Sequence, residues 1–248
     1  MKHQIIPSII AKNQDELNYR LKKVKFSKII HLDIMDGKFI KNKSLMFNIK
    51  LPKGFLLKCP NSTSVNHMKK YMGWNSEHAQ KPQQVFHRWF LTLRKRKYEA
   101  HLMMKNPIKW INNNYKRVDL IIVHHESENI KKAIELIKKC KRKIGIAINP
   151  QTSLKELKII PIEEIDTLLI MTVYPGKYGS SFLPAALKKV SEARRHYPHI
   201  NLEVDGGIND KTITKALHAG ANKFVIGSYL QNSDKPRRKM RGLKRLLM

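Results

Sequence analysis

Short β-branched runs alternate with helical repeats along most of the 248-residue chain. The strand-like runs are HQIIPSII at 3–10, KIIHLDIM at 28–35, YEAHLMM at 98–104 and VDLIIVHHE at 118–126. Four more follow: KIGIAIN at 143–149, TLLIMTVYPG at 167–176, INLEVDGG at 200–207 and NKFVIGS at 222–228. They are apolar on both faces, as buried parallel strands are. Between most of them the apolar period lengthens to that of a helix. In ENIKKAIELIKKC, residues Ile130, Ala133, Ile134 and Ile137 fall at i, i+3, i+4 and i+7, which makes one stripe to lay against a sheet. Pro107, Pro184 and Pro236 stand near helix starts, and Gly220 follows ITKALHA where a helix would stop. Eight strands alternating with helices predict a (β/α)₈ TIM barrel. An open doubly wound sheet is the structural alternative. It would want a glycine-rich turn after the first strand, and IIPSIIAKN offers none.

The rhythm fails from Phe55 to Lys97. This stretch holds His67, His78, His87, Trp74 and Trp89, with nine Lys or Arg against Glu77 as the one acid. It is too long for an ordinary connection, and reads as an atypical basic insertion between strands 2 and 3 of a single barrel domain spanning 1–248. Its histidines are irregularly spaced and match no compact ligand motif, so they read as solvated surface residues.

Composition narrows the setting. The chain is 42% hydrophobic, enough for a substantial core. No run approaches the roughly 18–20 apolar residues needed to cross a bilayer. The start, MKHQIIPSII, lacks the apolar core and cleavage site of a signal peptide, and two cysteines, Cys59 and Cys140, are too few for a disulfide framework. A cytoplasmic protein without a membrane partner is expected; a homo-oligomer is compatible with the sequence. Forty-nine Lys and Arg against 19 acids give a formal charge of +30. Such an excess admits nucleic acid as a partner, but lysines are spread over nearly every predicted helix and no nucleic-acid motif occurs. The same field would draw in a small phosphorylated substrate.

In a barrel, chemistry collects at the C-terminal strand ends. Strand 1 ends near Ser8; strand 2 supplies His31, Asp33 and Asp36; strand 3 supplies His101; strand 4 supplies His124 and Glu126; strand 7 supplies Asp205. In HLDIMDG the alternation of a strand puts His31 and Asp33 on one face. His31, Asp33, His101 and Asp205 together form a mixed nitrogen and oxygen donor set suited to one divalent ion, Zn²⁺, Fe²⁺ or Mn²⁺.

PSI at 7–9, HLDIMDG at 31–37, AHLMM at 100–104, VHHE at 123–126, MTVYPG at 171–176, VDGGI at 204–208 and GS at 227–228 resemble ribulose-phosphate 3-epimerases, in the family's order. The resemblance covers the chain outside 55–97. It implies that His31, Asp33, His101 and Asp205 bind one divalent metal, and that Asp33 and Asp205 are the acid/base pair. It further implies that Ser8 and His101 contact the substrate, a small phosphorylated ketose, and that Met35, Met103 and Met171 stand beside the metal. Inverting a carbon next to a carbonyl needs one base on each face, and the enediolate formed between the two proton transfers is stabilised by a divalent cation. Asp36 is read as shaping the turn after strand 2. Gly206, Gly207, Gly227 and Ser228 let the backbone approach a phosphate after strands 7 and 8. Gly176 and Gly179 of the strand 6 loop join the substrate-binding set. That loop reads PGKYGSS where the family usually has PGFGGQ, with Lys177 and Tyr178 as the departures. The expected reaction is the interconversion of D-ribulose 5-phosphate and D-xylulose 5-phosphate. A hexulose phosphate such as allulose 6-phosphate, or a non-catalytic barrel binding nucleic acid, stand as alternatives.

Overall fold

Parallel pairing joins each strand to the next and the last to the first. The computed structural model describes residues 2–46, 50–51, 96–175 and 180–248. Residues 1–50 and 97–248 form one compact unit and 51–96 a second. Within the first unit the strands are β1 (Gln4–Ile9), β2 (Ile29–Met35), β3 (Lys97–Met103), β4 (Leu120–His124), β5 (Lys143–Ile148), β6 (Thr167–Met171), β7 (Asn201–Asp205) and β8 (Lys223–Ile226). They close in sequence order into an eight-stranded parallel barrel, the TIM-barrel architecture that the alternating pattern predicts. Residues 52–95 fall between β2 and β3 in the chain. The insertion expected at 55–97, with His67, His78, His87 and Cys59, therefore lies outside the described residues up to Lys95. So do Gly176, Lys177, Tyr178 and Gly179.

The helices bury the faces their spacing assigns. In α1 (Gln14–Lys23), Asn13 caps the first turn by accepting the Glu16 N–H at 2.9 Å, and Leu17 and Leu21 turn inward. After α2 (Ile108–Asn114), α3 (Ile130–Lys139) buries Ile130, Ala133, Ile134 and Ile137, with Lys138 and Lys139 at its negative end. Next come α4 (Ala186–His196) and α5 (Ile213–His218). Beyond α5, Gly220 takes φ +105°, its N–H reaching Leu217 O while the Ala221 N–H reaches Ala216 O; this glycine stop recovers two end carbonyls. After α6 (Ser228–Gln231), Pro236 opens α7 (Pro236–Arg245), which buries Met240 and Leu243 and so uses the basic tail as a barrel helix. The β5–β6 crossing departs from the helical alternation. It is built of 3₁₀ turns, Leu154–Ile159 capped by Ser153 and Ile162–Glu164, because Pro161 interrupts the run. Among the described residues, no helix is long and apolar enough to cross a membrane.

The barrel interior is divided. On one side Leu120, Ile122, Ala147, Leu169, Met171 and Val173 form a buried apolar cluster. It is packed so closely that a Cβ on Gly145 would lie 2.6 Å from Ile122 Cγ1. On the other side β2, β3, β7 and β8 carry buried His31, Asp33, Glu99, His101, Glu203 and Lys223. That polar half holds the site.

Candidate functional site

Register brings the chemistry together. Ser8 pairs with His31, Asp33 with His101, and Met171 with Asp205, so the polar residues of separate strands meet at one end of the barrel. His31 Nε2 lies 3.4 Å from Asp33 Oδ1; His101 Nδ1 lies 3.2 Å from the same oxygen and 3.6 Å from Asp205 Oδ2. One donor atom from each of the four lies within 4.8 Å of the others. Both ring nitrogens of His31 are buried and make no well-aligned hydrogen bond. Two imidazoles and two crowded carboxylates form a donor set that fits a divalent cation. A cation between the carboxylates would relieve their repulsion.

The two aspartates are driven apart. Burial would raise the Asp33 pKa, but the His101 hydrogen bond and the His31 ring beside it outweigh burial and hold the carboxyl well below its usual range. Burial, reinforced by the charge of Asp33, pushes Asp205 up to about 8. Without a cation between them, the two carboxyls are thus pushed in opposite directions, as is common where an acid and a base share one site. His101 is lowered to about 4, chiefly by burial.

Beneath the four donors lies a second layer that the sequence reading missed. His31 Nδ1 faces Glu203 Oε1 at 3.1 Å and Glu99 Oε2 at 3.5 Å. These carboxylates favour the proton on Nδ1 and leave Nε2 as the donor toward the cluster. Glu99, Glu203 and His31 are themselves close enough to hold an ion, but the Lys223 ammonium already sits 2.6 Å from Glu99 Oε1 and 2.7 Å from Glu203 Oε2. A signal was available: Glu99 stands two residues before His101, and Glu203 two before Asp205, so each shares the inward face of its neighbour.

At the donors a pocket is lined by Ser8, Asp33 and Asp205 together with Gly206, Gly207, Gly227 and Ser228. Gly206 and Gly207 have φ of +113° and +65°, and a Cβ on Gly207 would meet Phe182 Cβ at 2.8 Å, so both turns require glycine. Thr172 anchors this corner through its N–H and hydroxyl to Asp205 O, and its hydroxyl also reaches Gly206 O at 2.6 Å. Met103 and Met171 line the pocket, as expected of residues beside the donors. Met35 does not. It borders a neighbouring depression with Lys12, Arg20 and Lys43, where Ser44 Oγ accepts its backbone N–H. Asp36 shapes its turn as read: Oδ1 accepts the N–H groups of Lys38 and Phe39, and Oδ2 that of Lys105 after β3.

The sequence compares with known proteins in the same sense. A family model described as the ribulose-phosphate 3 epimerase family matches residues 4–51 and 88–231. The chain belongs to the ribulose-phosphate 3 epimerase family. It is 32% identical over 239 residues to the ribulose-phosphate 3-epimerase of Chlamydia pneumoniae, covering 92% of this chain and 87% of that one. The Candida glabrata enzyme of the same name is 29% identical over 95% of this chain and 89% of its own. Membership makes this chain an enzyme of the epimerase class. Among solved structures, the barrel is similar to 3-hexulose-6-phosphate synthase from Salmonella typhimurium. The TM-score is 0.59 at 13% identity, over 98% of both chains, a likeness of fold alone.

Proposed function

We propose that the chain epimerises C3 of D-ribulose 5-phosphate to give D-xylulose 5-phosphate, using Asp33 and Asp205 as two bases on opposite faces of the substrate. The observation that carries this reading is the meeting of two carboxylates from separate strands, Asp33 of β2 and Asp205 of β7, beside His31 and His101 in the lining of one pocket, in a chain of this family. The ionised carboxylate, Asp33, takes the C3 proton from one face, leaving an enediolate. Asp205 returns a proton to the other face, and in the reverse direction the roles exchange. His31, Asp33, His101 and Asp205 would hold one divalent metal. When bound, the metal polarises the carbonyl next to C3 and lowers the barrier to losing that proton. Ser8 hydrogen-bonds the sugar. Gly206, Gly207, Gly227 and Ser228 present backbone N–H groups to the phosphate, fixing C3 between the aspartates.

A coupled assay on purified full-length protein tests this. Ribulose 5-phosphate is expected to turn over, to stop doing so after chelation, and to recover when Zn²⁺, Fe²⁺ or Mn²⁺ is returned. Free ribulose is expected to be a poor substrate, because the remote phosphate supplies the binding energy that positions C3. Chelator-resistant activity would remove the metal from the proposal, equal rates on free ribulose would remove the phosphate site, and faster turnover of allulose 6-phosphate would reassign the substrate.

A further inference from the structure

A basic depression adjoins the pocket on the β2 side of β1. Strand register sets it there: Ile10 stands two residues after Ser8, and Met35 two after Asp33, so both come one step beyond the donors toward the loops. Ile10 lines the pocket and the depression alike. Gly227 and Ser228 of the glycine wall follow β8, which pairs with the other edge of β1. The glycine wall and the depression therefore lie on opposite sides of β1.

The depression is charged where the pocket is not. Among the described residues no Lys or Arg lines the pocket, so a phosphate there is left to backbone N–H groups. The depression, of about 440 Å³, is lined by Lys12, Arg20, Lys41 and Lys43, with Glu16 as the one acid. Glu16 is already engaged. Its Oε1 lies 2.7 Å from Arg20 Nη2, its Oε2 accepts the Lys12 N–H at 2.8 Å, and the Lys12 charge bears on it as well. Lys41 and Lys43 form no ion pair among the described residues. The lining thus keeps an excess of positive charge, and the group that suits it is a dianion whose oxygens only accept, as those of a phosphate do.

We propose that this depression holds the second phosphate of a pentulose 1,5-bisphosphate whose 5-phosphate rests on the glycine wall. The proposal rests on the substrate orientation of the proposed reaction, and its test separates the two. C1 is the carbon farthest from the 5-phosphate. A ligand laid from β8 across Asp33 therefore turns its C1 group toward the loops after β1 and β2. The cations touch the added phosphate alone, so they set which ketose phosphates bind and take no part in moving the C3 proton.

Ribitol 5-phosphate and ribitol 1,5-bisphosphate isolate the second phosphate, since neither has a carbonyl and neither can be epimerised. Equilibrium dialysis with full-length protein at fixed ionic strength is expected to show the bisphosphate bound about tenfold or more tighter, the scale of one charge-assisted hydrogen bond. In Lys12→Gln/Lys43→Gln most of that advantage should be lost, while ribitol 5-phosphate affinity and ribulose 5-phosphate turnover stay within about twofold of wild type. Lys139→Gln/Lys244→Gln removes the same charge from the last turns of α3 and α7, at the other end of the barrel, and should keep the advantage. Equal affinity for the two polyols in wild type would overturn the proposal. So would an advantage that Lys12→Gln/Lys43→Gln leaves intact, or one that the distant pair removes as fully. An equal loss of ribitol 5-phosphate affinity in Lys12→Gln/Lys43→Gln would also overturn it, by making the depression the seat of a single phosphate. Protein that keeps the bisphosphate advantage but turns over no ribulose 5-phosphate would support the second phosphate site and count against the proposed reaction.

Discussion

Asp33→Asn and Asp205→Asn are each expected to lower turnover by about a thousandfold or more, within the range of a lost general acid or base. An amide neither accepts the C3 proton nor returns one, and the two side chains come from β2 and β7, so neither can take the place of the other. The double variant should be little worse than either single one, because a reaction that needs both bases is already stopped by losing one. Metal content has to be measured alongside turnover, since both residues also belong to the donor set. If either single variant kept turnover within about tenfold of wild type at full metal content, the two-base assignment would be wrong.

The fold was legible because each strand carries its signature locally. All eight predicted strands are present, most within two residues of the expected bounds. The exception is β6, which stops at Met171 because the chain leaves the ladder where Thr172 ties to Asp205 and Gly206. The donor set was legible for a related reason: polar residues stand out at the ends of apolar strands, and HLDIMDG sets two of them on one face. The layer below was not. Glu99 and Lys223 are 124 residues apart, and only strand register shows that the ammonium of one neutralises the carboxylate of the other. The pair of His124 and Glu126 was visible at a strand end, but the groups that hold Glu126, Asn149 N–H and the Thr152 hydroxyl, arrive from the loop after β5. Met35 shows the opposite failure. Sharing the inward parity of His31 and Asp33 did not bring it to the pocket, because it lies beyond Asp33 against the β1 and β2 loops.

Lys223→Met is expected to be among the most destabilising single substitutions in the barrel. It removes the ammonium that bridges two carboxylates that are 5% and 0% exposed, leaving Glu99 and Glu203 buried together with the His31 ring as their remaining charge partner among the described residues. Breaking a buried ion network from one side costs about 3–5 kcal/mol, to be read as a shift in the denaturation midpoint. Replacing all three, with Glu99→Gln and Glu203→Gln beside Lys223→Met, should recover part of the loss, because the uncompensated charge is gone. The pH dependence has a definite sign. Burial would raise Glu203, but Lys223 and His31 outweigh it and lower the carboxyl from 4.5 to about 2. Its contribution is therefore present above about pH 4.5 and is lost as pH falls toward 2. Burial lowers Lys223, yet Glu203 and Glu99 raise it above its ordinary 10.5, so its contribution is present below that value and fades only as pH rises beyond it. The difference in stability between wild type and Lys223→Met should accordingly be flat around neutral pH and shrink in acid. A variant as stable as wild type, or a difference that grows in acid, would show that the network does not bear on folding.

The source of the hydrogen at C3 tests the central claim most directly. With two bases, the proton taken from ribulose 5-phosphate by one aspartate is lost to water, and the other aspartate delivers a proton that came from water. In D₂O, at low conversion, the xylulose 5-phosphate formed should therefore carry deuterium at C3 in nearly every molecule, while the remaining ribulose 5-phosphate keeps its original hydrogen. Proton NMR of the C3 position reads both. Product that retains the substrate's own hydrogen at C3 would mean that one group moves the proton across, and the assignment of Asp33 and Asp205 to opposite faces would be contradicted.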